Sequence, residues 1–539
     1  MNKSTLMRAL AMLFALSLAA AACGGSSSDG ASAGSDEGTS EGESGGEGGD
    51  LGGVDEDAAK EAISGSGDTE GEGETEEETE PAAELASIED YEALWAEQRA
   101  AIVEDIKANG YGVDDAGMLT GPGGWTADLS GCPAEWSDTE GIVDGTITLG
   151  LSIAQSGTLA AYGNIATGME AYFNYVNDNG GIGPDGLQVA LSVKDDAYDA
   201  ALTQEYVEEF LGSIKPFSVQ TLGTPNTFSV RDRLNDACVP HPMALTGHPA
   251  WGDPQGYPWT TGLQLNYFTE GVLWAGWIEA NMADQAPVKV AALVADNDFG
   301  LAYEAGFMSA AEGSDVIDPD VELVRHDAAA ATLTNEITTL AAANPAVFIA
   351  MTAGAPCTIA FQEAARAGIV ETAEAVWAPS VCATASFLGP AEDAADGWLA
   401  LGGGWKDMAD ENFRTNDVYV KWAVETMDAA GADSTIGLVG TGFGEFGWPH
   451  IQALQIAAEL DGGVTRTNYM IALRALDMTH PALLEGVAFS NNGAEDAYLV
   501  EGTQINKWNA ATQSSEQIGD VIDLNGSSGT CSWTESGCA

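Results

Sequence analysis

The chain carries residue types able to do covalent chemistry, but their spacing activates none of them. Five histidines, His241, His248, His326, His450 and His480, are scattered without metal-ligand spacing, so core or surface roles outweigh ligation. Asp195 and Asp196 have the composition of an acid–base pair, yet neighbours leaving a strand point to opposite faces, which makes them a loop-shaping pair. Gly442-Phe443-Gly444-Glu445-Phe446-Gly447 matches a dinucleotide fingerprint ahead of a helix starting near Pro449. It lacks the strand–helix–strand unit with an acidic residue that such a site needs, and reads as a helix-start loop. No P-loop, His-Glu-x-x-His or Gly-x-Ser-x-Gly motif occurs. No metal and no cofactor is expected. The chemistry on offer is non-covalent: Leu222-Gly223-Thr224-Pro225-Asn226-Thr227 runs into a helix, and hydroxyls with free N–H groups at a helix N-terminus suit a carboxylate or another negatively polarised oxygen. Simple capping by Thr224 or Asn226 is the competing reading.

The elements that must position this loop follow a regular beat. Strands are expected at 146–153, 187–193, 217–221, 239–245, 288–294, 321–324, 346–351 and 375–377, and helices at 163–177, 201–211, 228–237, 268–282, 333–343 and 358–367. Strand, helix, strand at this spacing means parallel sheets flanked by helices. The beat fills two blocks, 145–262 and 263–402, so two α/β lobes are expected. Ligands of open parallel sheets sit beyond the carboxyl ends of the strands. That selects the loops 154–164, 222–226, 244–252, 296–300, 352–356 and 379–384, and facing sheets would gather all six around one cleft. Trp251, Trp259, Trp274 and Trp277 cluster near the first crossing between lobes, where core and interlobe packing is expected of them.

The flanks speak to location. Lys3 and Arg8 precede an apolar run over 9–18, then four alanines and Cys23: a secretory signal ending in a lipidation cysteine, with Ala20 where such signals usually carry leucine. Residues 24–80 are Gly, Ser, Glu and Asp, too poor in apolar side chains to order themselves, and read as a spacer. Ile88, Tyr91, Leu94, Trp95, Ile102 and Ile106 form one face of a helix that Ser87 caps and Asn109-Gly110 stops. Its acidic polar face suits packing on the protein rather than on a membrane. The six remaining cysteines, Cys132, Cys238, Cys357, Cys382, Cys531 and Cys538, lack CxxC spacing and suit disulfides in an exported chain. Pairing is not readable from one sequence, although Cys531 with Cys538 and Cys357 with Cys382 are natural partners on adjacent loops. With 18 Lys+Arg against 83 Asp+Glu, the net charge of -65 excludes nucleic acid and anionic membrane surfaces as partners.

In order and spacing, Ser156-Gly157, Tyr162-Gly163, Gly168, Asn179-Gly180-Gly181-Ile182, Asp195-Asp196 and Asp199, continuing through 222–245 to Asp298-Phe299-Gly300, resemble the leucine/isoleucine/valine-binding protein family of ABC-transporter lipoproteins and periplasmic proteins. The resemblance covers about half the chain and weakens beyond Gly402. It implies the type I periplasmic-binding fold: two Rossmann-like lobes joined by a three-strand hinge, closing on a ligand. By position it makes Thr224 the partner of a ligand carboxylate, Thr246 or Gly247 its neighbour, Tyr162 a wall of the first lobe and Phe299 an aromatic closing from the second, without a hydroxyl. Thr352 and Ala353 stand at another aromatic position; Ser156 and Asn226 complete the candidate set. Ser380 replaces the acidic residue that holds a ligand ammonium in amino-acid-binding relatives, so the solute need not be an α-amino acid and an amide, urea or aromatic acid also fits. Tyr198 and Gly223 fill the positions of one branch's disulfide.

The organisation that follows is a signal peptide over 1–22, an acidic tether over 23–80, a helical extension over 81–143, a first lobe from 144–262 and 403–482, a second from 263–402 and 483–525, and a tail over 526–539. The expected function is solute binding for an ABC importer, without catalysis. The expected partners are a small-molecule solute and the permease subunits, with the membrane reached through lipid only and the protein a monomer outside the cytoplasm. A sensory lipoprotein and a cleft hydrolase are the alternatives. Because the acidic excess extends into the globular part, as on proteins kept soluble in high salt, self-repulsion should loosen the fold in dilute buffer. The melting temperature should therefore climb between dilute and molar salt, and equal values would contradict the electrostatic reading.

Overall fold

A computed structural model describes residues 54–65, 85–534 and 537–538. The signal, Cys23 and most of the tether lie outside the described residues. In the first lobe, strand β1 (Thr146–Ile153) lies between β2 (Gln188–Asp195) and β3 (Ser218–Thr221), parallel to both. The strand expected over 239–245 reduces to bridges, Leu222 to Leu245 and His241 to Thr260. Pro240 and Pro242 have no N–H to give a ladder, and Met243 turns to φ 46.

The second lobe holds seven strands: β4 (Val290–Ala295), β5 (Glu322–His326), β6 (Val347–Met351), β7 (Ala375–Ala378), β8 (Leu399–Leu401), β9 (Thr503–Asn509) and β10 (Ser514–Ile522), in spatial order β5-β4-β6-β7-β8-β9-β10. The first five are parallel and the last two antiparallel. The three strands β4, β6 and β7 are buried on both faces, as the continuous runs Val-Ala-Ala-Leu-Val-Ala, Val-Phe-Ile-Ala-Met and Ala-Val-Trp-Ala require. The strands of the second sheet begin at Val290, break off at Leu401 and resume at Thr503, so the chain crosses between the lobes three times. The crossings are tied together by Gly402 N to Gln504 O at 2.8 Å and Gly404 N to Gln504 Oε1 at 3.0 Å.

After the second crossing the chain returns to the first lobe. There the helix Gly437–Thr441 and the π-helical turn Gly442–Gly447 pack against Asn164–Asp178, and the helix Trp448–Glu459 continues from the turn. The glycines of the apparent nucleotide fingerprint serve this packing: a Cβ on Gly442 would strike Ile165 O, and one on Gly168 would strike Val439 O. The segment is thus an internal helical turn rather than a helix-start loop.

Two expectations about the N-terminal region need correction. The tether expected to run to residue 80 is interrupted by the helix Glu56–Gly65, which docks on Tyr267–Asn281 of the second lobe. Val54, Ala59 and Ile63, too few to attract notice in sequence, are fully buried there. Lys60 Nζ donates to Ala310 O at 2.7 Å, and Ser309 Oγ donates to Glu56 Oε1 at 2.6 Å. The extension over 81–143 is not purely helical either. Ile88–Asn109 forms with Ser87 and Gly110 as its caps and rests on Trp448 and Tyr419 through Trp95, but a three-stranded sheet follows, Gly112–Val113, Met118–Thr120 and Thr126–Asp128. Gly112 and Gly117 take positive φ at its turns, which a helix could not continue through.

Three disulfides join Cys357 to Cys382, Cys531 to Cys538, and Cys132 to Cys238 across 106 residues of sequence. The last ties the N-terminal extension to the first lobe and closes the longest loop. By loop entropy its loss should cost about 5 kcal/mol. Cys132→Ser with Cys238→Ser should lower the denaturation midpoint accordingly, whereas peptide mapping that pairs either cysteine elsewhere would refute the linkage.

Candidate functional site

Five loops that follow parallel strands and a sixth that follows the bridged segment 239–245 converge. Leu159 and Tyr162, Leu222 and Gly223, and Leu245 and Thr246 from the first lobe face Phe299, Ala353 and Ser380 from the second around one cavity of about 350 Å³. Tyr162 touches both sides. Its hydroxyl donates to Val381 O at 3.2 Å and accepts from Gly354 N at 3.3 Å, while its ring lies 5.4 Å from Phe387. Burial raises its phenol well above the ordinary value. Lobe-to-lobe contact continues with Thr158 Oγ1 donating to Ala328 O at 3.4 Å.

Of the residues singled out in sequence, Tyr162, Thr246, Phe299 and Ser380 line the cavity. Thr224 stands directly behind, buried at the start of the helix Thr224–Asp236, its hydroxyl 2.6 Å from that of Thr246. Three others are elsewhere. Asn226 points away to Thr203 Oγ1 at 2.8 Å, and Ser156 is exposed, its N–H on Asp195 Oδ1 at 3.2 Å. Thr352 is buried in the strand-end turn, and its neighbour Ala353 takes the place at the wall. Asp195 Oδ1 collects the N–H groups of Gln155, Ser156 and Ala197, and Asp196 accepts from Ser152 Oγ and Thr203 Oγ1, as loop-shaping residues do. All five histidines are buried, and among the described residues no group of three His, Cys, Asp or Glu is placed to hold a metal. Trp251 and Trp274 are buried in packing, against Phe228 and Tyr303.

The aromatic ring missing at Thr352 and Ala353 is made up from other positions. Tyr267 lines the cavity, stacks on Tyr303 at 4.5 Å and meets Phe299 edge-on at 5.0 Å. Tyr198 lines it as well, and fits only because Gly223, at φ 95, has no Cβ to strike its ring. Ser380 conceals a further substitution. Its Oγ donates to Glu270 Oε1 at 2.6 Å and its N–H to Oε2 at 2.9 Å, and Tyr303 adds a bond to Oε1 at 3.2 Å. A carboxylate, Glu270, thus stands one layer behind Ser380. Burial raises Glu270 to about 7, against these three donors. With its proton committed to Glu270, the Ser380 hydroxyl presents lone pairs to the cavity and suits a ligand donor.

Toward the crossings the cavity is lined by Trp405, Asp407, Phe446 and Glu445. Glu445 projects from the π-helical turn, a distortion frequent at functional sites. Asp407 is held by Ala409 N at 2.9 Å and, more loosely, by Thr384 Oγ1 and Ala385 N at 3.4 Å. Lys406, also at the wall, is committed to Asp417 at 2.9 Å and to Pro481 O. None of Glu270, Asp407, Glu445, Tyr198 or Tyr267 was proposed from sequence as a ligand-binding residue. The available signals were an acidic residue amid closely spaced glycines, at 442–447, and the Trp-Lys-Asp run just beyond the second crossing.

Residues 146–508, more than half of the chain, match the family model described as periplasmic binding protein. No curated protein matches in sequence. Among solved structures the chain is similar to a branched chain amino acid ABC transporter protein from Thermus thermophilus with bound valine (TM-score 0.61, 16% identity, covering 70% of this chain and 96% of that one). It is similar also to a fatty acid ABC transporter substrate-binding protein from Thermomonospora curvata (0.59, 16%, 75% and 96%). A third is an ABC transporter solute binding protein from R. palustris in complex with benzoate (0.58, 15%, 73% and 99%).

Burial, with Asp407 adding to it, lifts Glu445 from 4.5 to about 8, so the folded protein keeps a proton there that the unfolded chain releases near pH 4.5. Stability from this group is present below pH 4.5 and is lost as pH rises to about 8. Glu445→Gln should raise the melting temperature of the unliganded protein at pH 8 and leave it unchanged at pH 4, and a pH-independent difference would refute the assignment.

Proposed function

The chain belongs to the periplasmic binding protein family, and from that membership we propose that it is the solute receptor of an ABC importer, held outside the cytoplasm by a lipid on Cys23. It captures a small polar solute between its lobes and hands it, unaltered, to the permease subunits. The observation that carries this reading is the meeting of six strand-end loops from two lobes around one cavity, with Tyr162 bonded across it. Closure acts as the signal only if the solute binds the closed arrangement better than the open one. Bonds such as Tyr162 to Val381 and Gly354 exist only when the lobes meet, and so add to the closed state alone.

The spread of solutes among the similar structures, valine, fatty acid and benzoate, favours a family scaffold retuned by its lining over any one of those ligands. Ser380 lines the cavity with Glu270 hydrogen-bonded to its hydroxyl at 2.6 Å, the pair a hydrolase alternative would use, and a search for turnover of candidate amides or esters separates the two readings. Loss of the Tyr162 hydroxyl removes two cross-cleft bonds, together about 1–2 kcal/mol, so Tyr162→Phe should weaken solute affinity by roughly 5–30-fold through the closing equilibrium. Titration calorimetry with the solute released from the denatured protein, alongside small-angle scattering, checks this. Unchanged affinity, or scattering that does not contract on binding, would remove Tyr162 from the closure. Solute uptake that survives deletion of the gene would leave a sensory role instead.

A further inference from the structure

The cavity is lined by two carboxylates that have hydrogen-bond donors but no basic partner among the described residues. Asp407 and Glu445 both line it, and the nearby Asp407 adds to the burial that discourages ionisation of Glu445. Both side chains are enclosed by protein yet keep part of their surface open, and the open part faces the cavity. Glu445 receives one hydrogen bond, Thr441 Oγ1 to Oε1 at 3.0 Å. No lysine or arginine pairs with either among the described residues; Lys406, the basic residue at the wall, is neutralised by Asp417. A third carboxylate, Asp410, also faces the space, and Glu270 adds a fourth behind Ser380.

Ordinary structural carboxylates inside proteins are paired or fully hydrogen-bonded, because an isolated buried charge is costly. Here the pairing group is missing on the side that faces the ligand space. The rings of Trp405 and Phe446 line the same cavity, and aromatic faces attract cations while doing nothing for anions. A metal ion is disfavoured, since no three suitable ligands converge among the described residues. Resting on the receptor reading, we infer that the solute is an organic cation, an amine, amidinium or guanidinium, and that Asp407 and Glu445 receive its charged group. The Ser380 hydroxyl, locked as an acceptor by Glu270, takes a second donor of the same solute.

The test uses the full chain in detergent, stripped of bound solute and refolded. It is screened by thermal shift against organic cations, neutral solutes, organic anions and calcium chloride, including the matched pairs lysine with norleucine and cadaverine with pentanol, and hits are titrated by calorimetry. The molecules released by denaturing the unstripped protein are identified by mass spectrometry. The expected result is that binders and released solute are cations, and that Asp407→Asn with Glu445→Gln, folded by its melting curve, binds the best cation roughly thirtyfold or more weakly. Should that variant not fold, the charge of the released solute decides. Binding confined to neutral solutes, anions or calcium overturns the cation assignment and leaves the receptor standing. A cation bound equally well by the variant overturns the roles of Asp407 and Glu445. No binder of any charge, with nothing released, sinks the receptor reading and this one together.

Discussion

Parallel strands place every loop that follows them at one edge of the sheet, and the rest of this structure depends on that constraint. Two such sheets, connected by three crossings, can meet only edge to edge, so the loops of one face the loops of the other. The Tyr162 hydroxyl and the Val381 carbonyl, 219 residues apart, are brought into hydrogen-bond distance with no requirement on the chain between them except that each lobe fold correctly. The site is thus a by-product of topology, and its chemistry is free to vary. That freedom explains why proteins sharing this fold at 15–16% identity are found with valine in one case and benzoate in another.

Burial governs what the site residues can do. Ser380 was read as the loss of a charge, because only one position was compared. The folded chain puts an acid beside the serine: Glu270, on the helix Tyr267–Asn281, reaches the Ser380 backbone and hydroxyl together. A carboxylate supplied with three donors can stay in the interior that would otherwise neutralise it. The serine then transmits its polarity to the cavity without exposing the acid itself.

Much of the framework was legible because its cause is local. The strand at 146–153 matched to the residue, and helices such as 268–282 and 333–343 shifted by only one residue, because hydrophobic period and caps are sequence-local signals. Ser87 and Gly110 ended a helix where their side chains and φ preferences say it must end. What sequence missed depends on partners far away. The hairpin of β9 and β10 is polar and mostly exposed on its outer strand, and becomes a strand pair only because β8 offers it an edge. The helix Glu56–Gly65 sits in an acidic, glycine-rich stretch and is ordered by a single apolar face on the second lobe. In the site, Tyr162, Thr246, Phe299 and Ser380 were found from loop position, whereas Asn226 and Thr352, one and two turns of logic away from the wall, were not distinguishable from their neighbours without side-chain direction. Asp407 and Glu445 lay outside the loops under scrutiny altogether, because they arrive from the segment that returns to the first lobe after the second crossing.

An uncompensated pair of carboxylates has a consequence for the lobe equilibrium as well as for selectivity. On the cation reading, water would reach both acids when the lobes part, and closure around an empty cavity would desolvate them beside one another. Closure without ligand is thereby disfavoured, and closure around a positively charged group is relieved of the same penalty. The contacts that close without discrimination, such as Tyr162 with Val381, then need an opposing term, or the empty receptor would present itself to the permease as loaded. On the cation reading the acids supply that term. A receptor whose apo state is held open by its own binding groups couples recognition to signalling through a single free-energy difference, since a ligand can shift the lobes only by as much as it prefers one arrangement over the other.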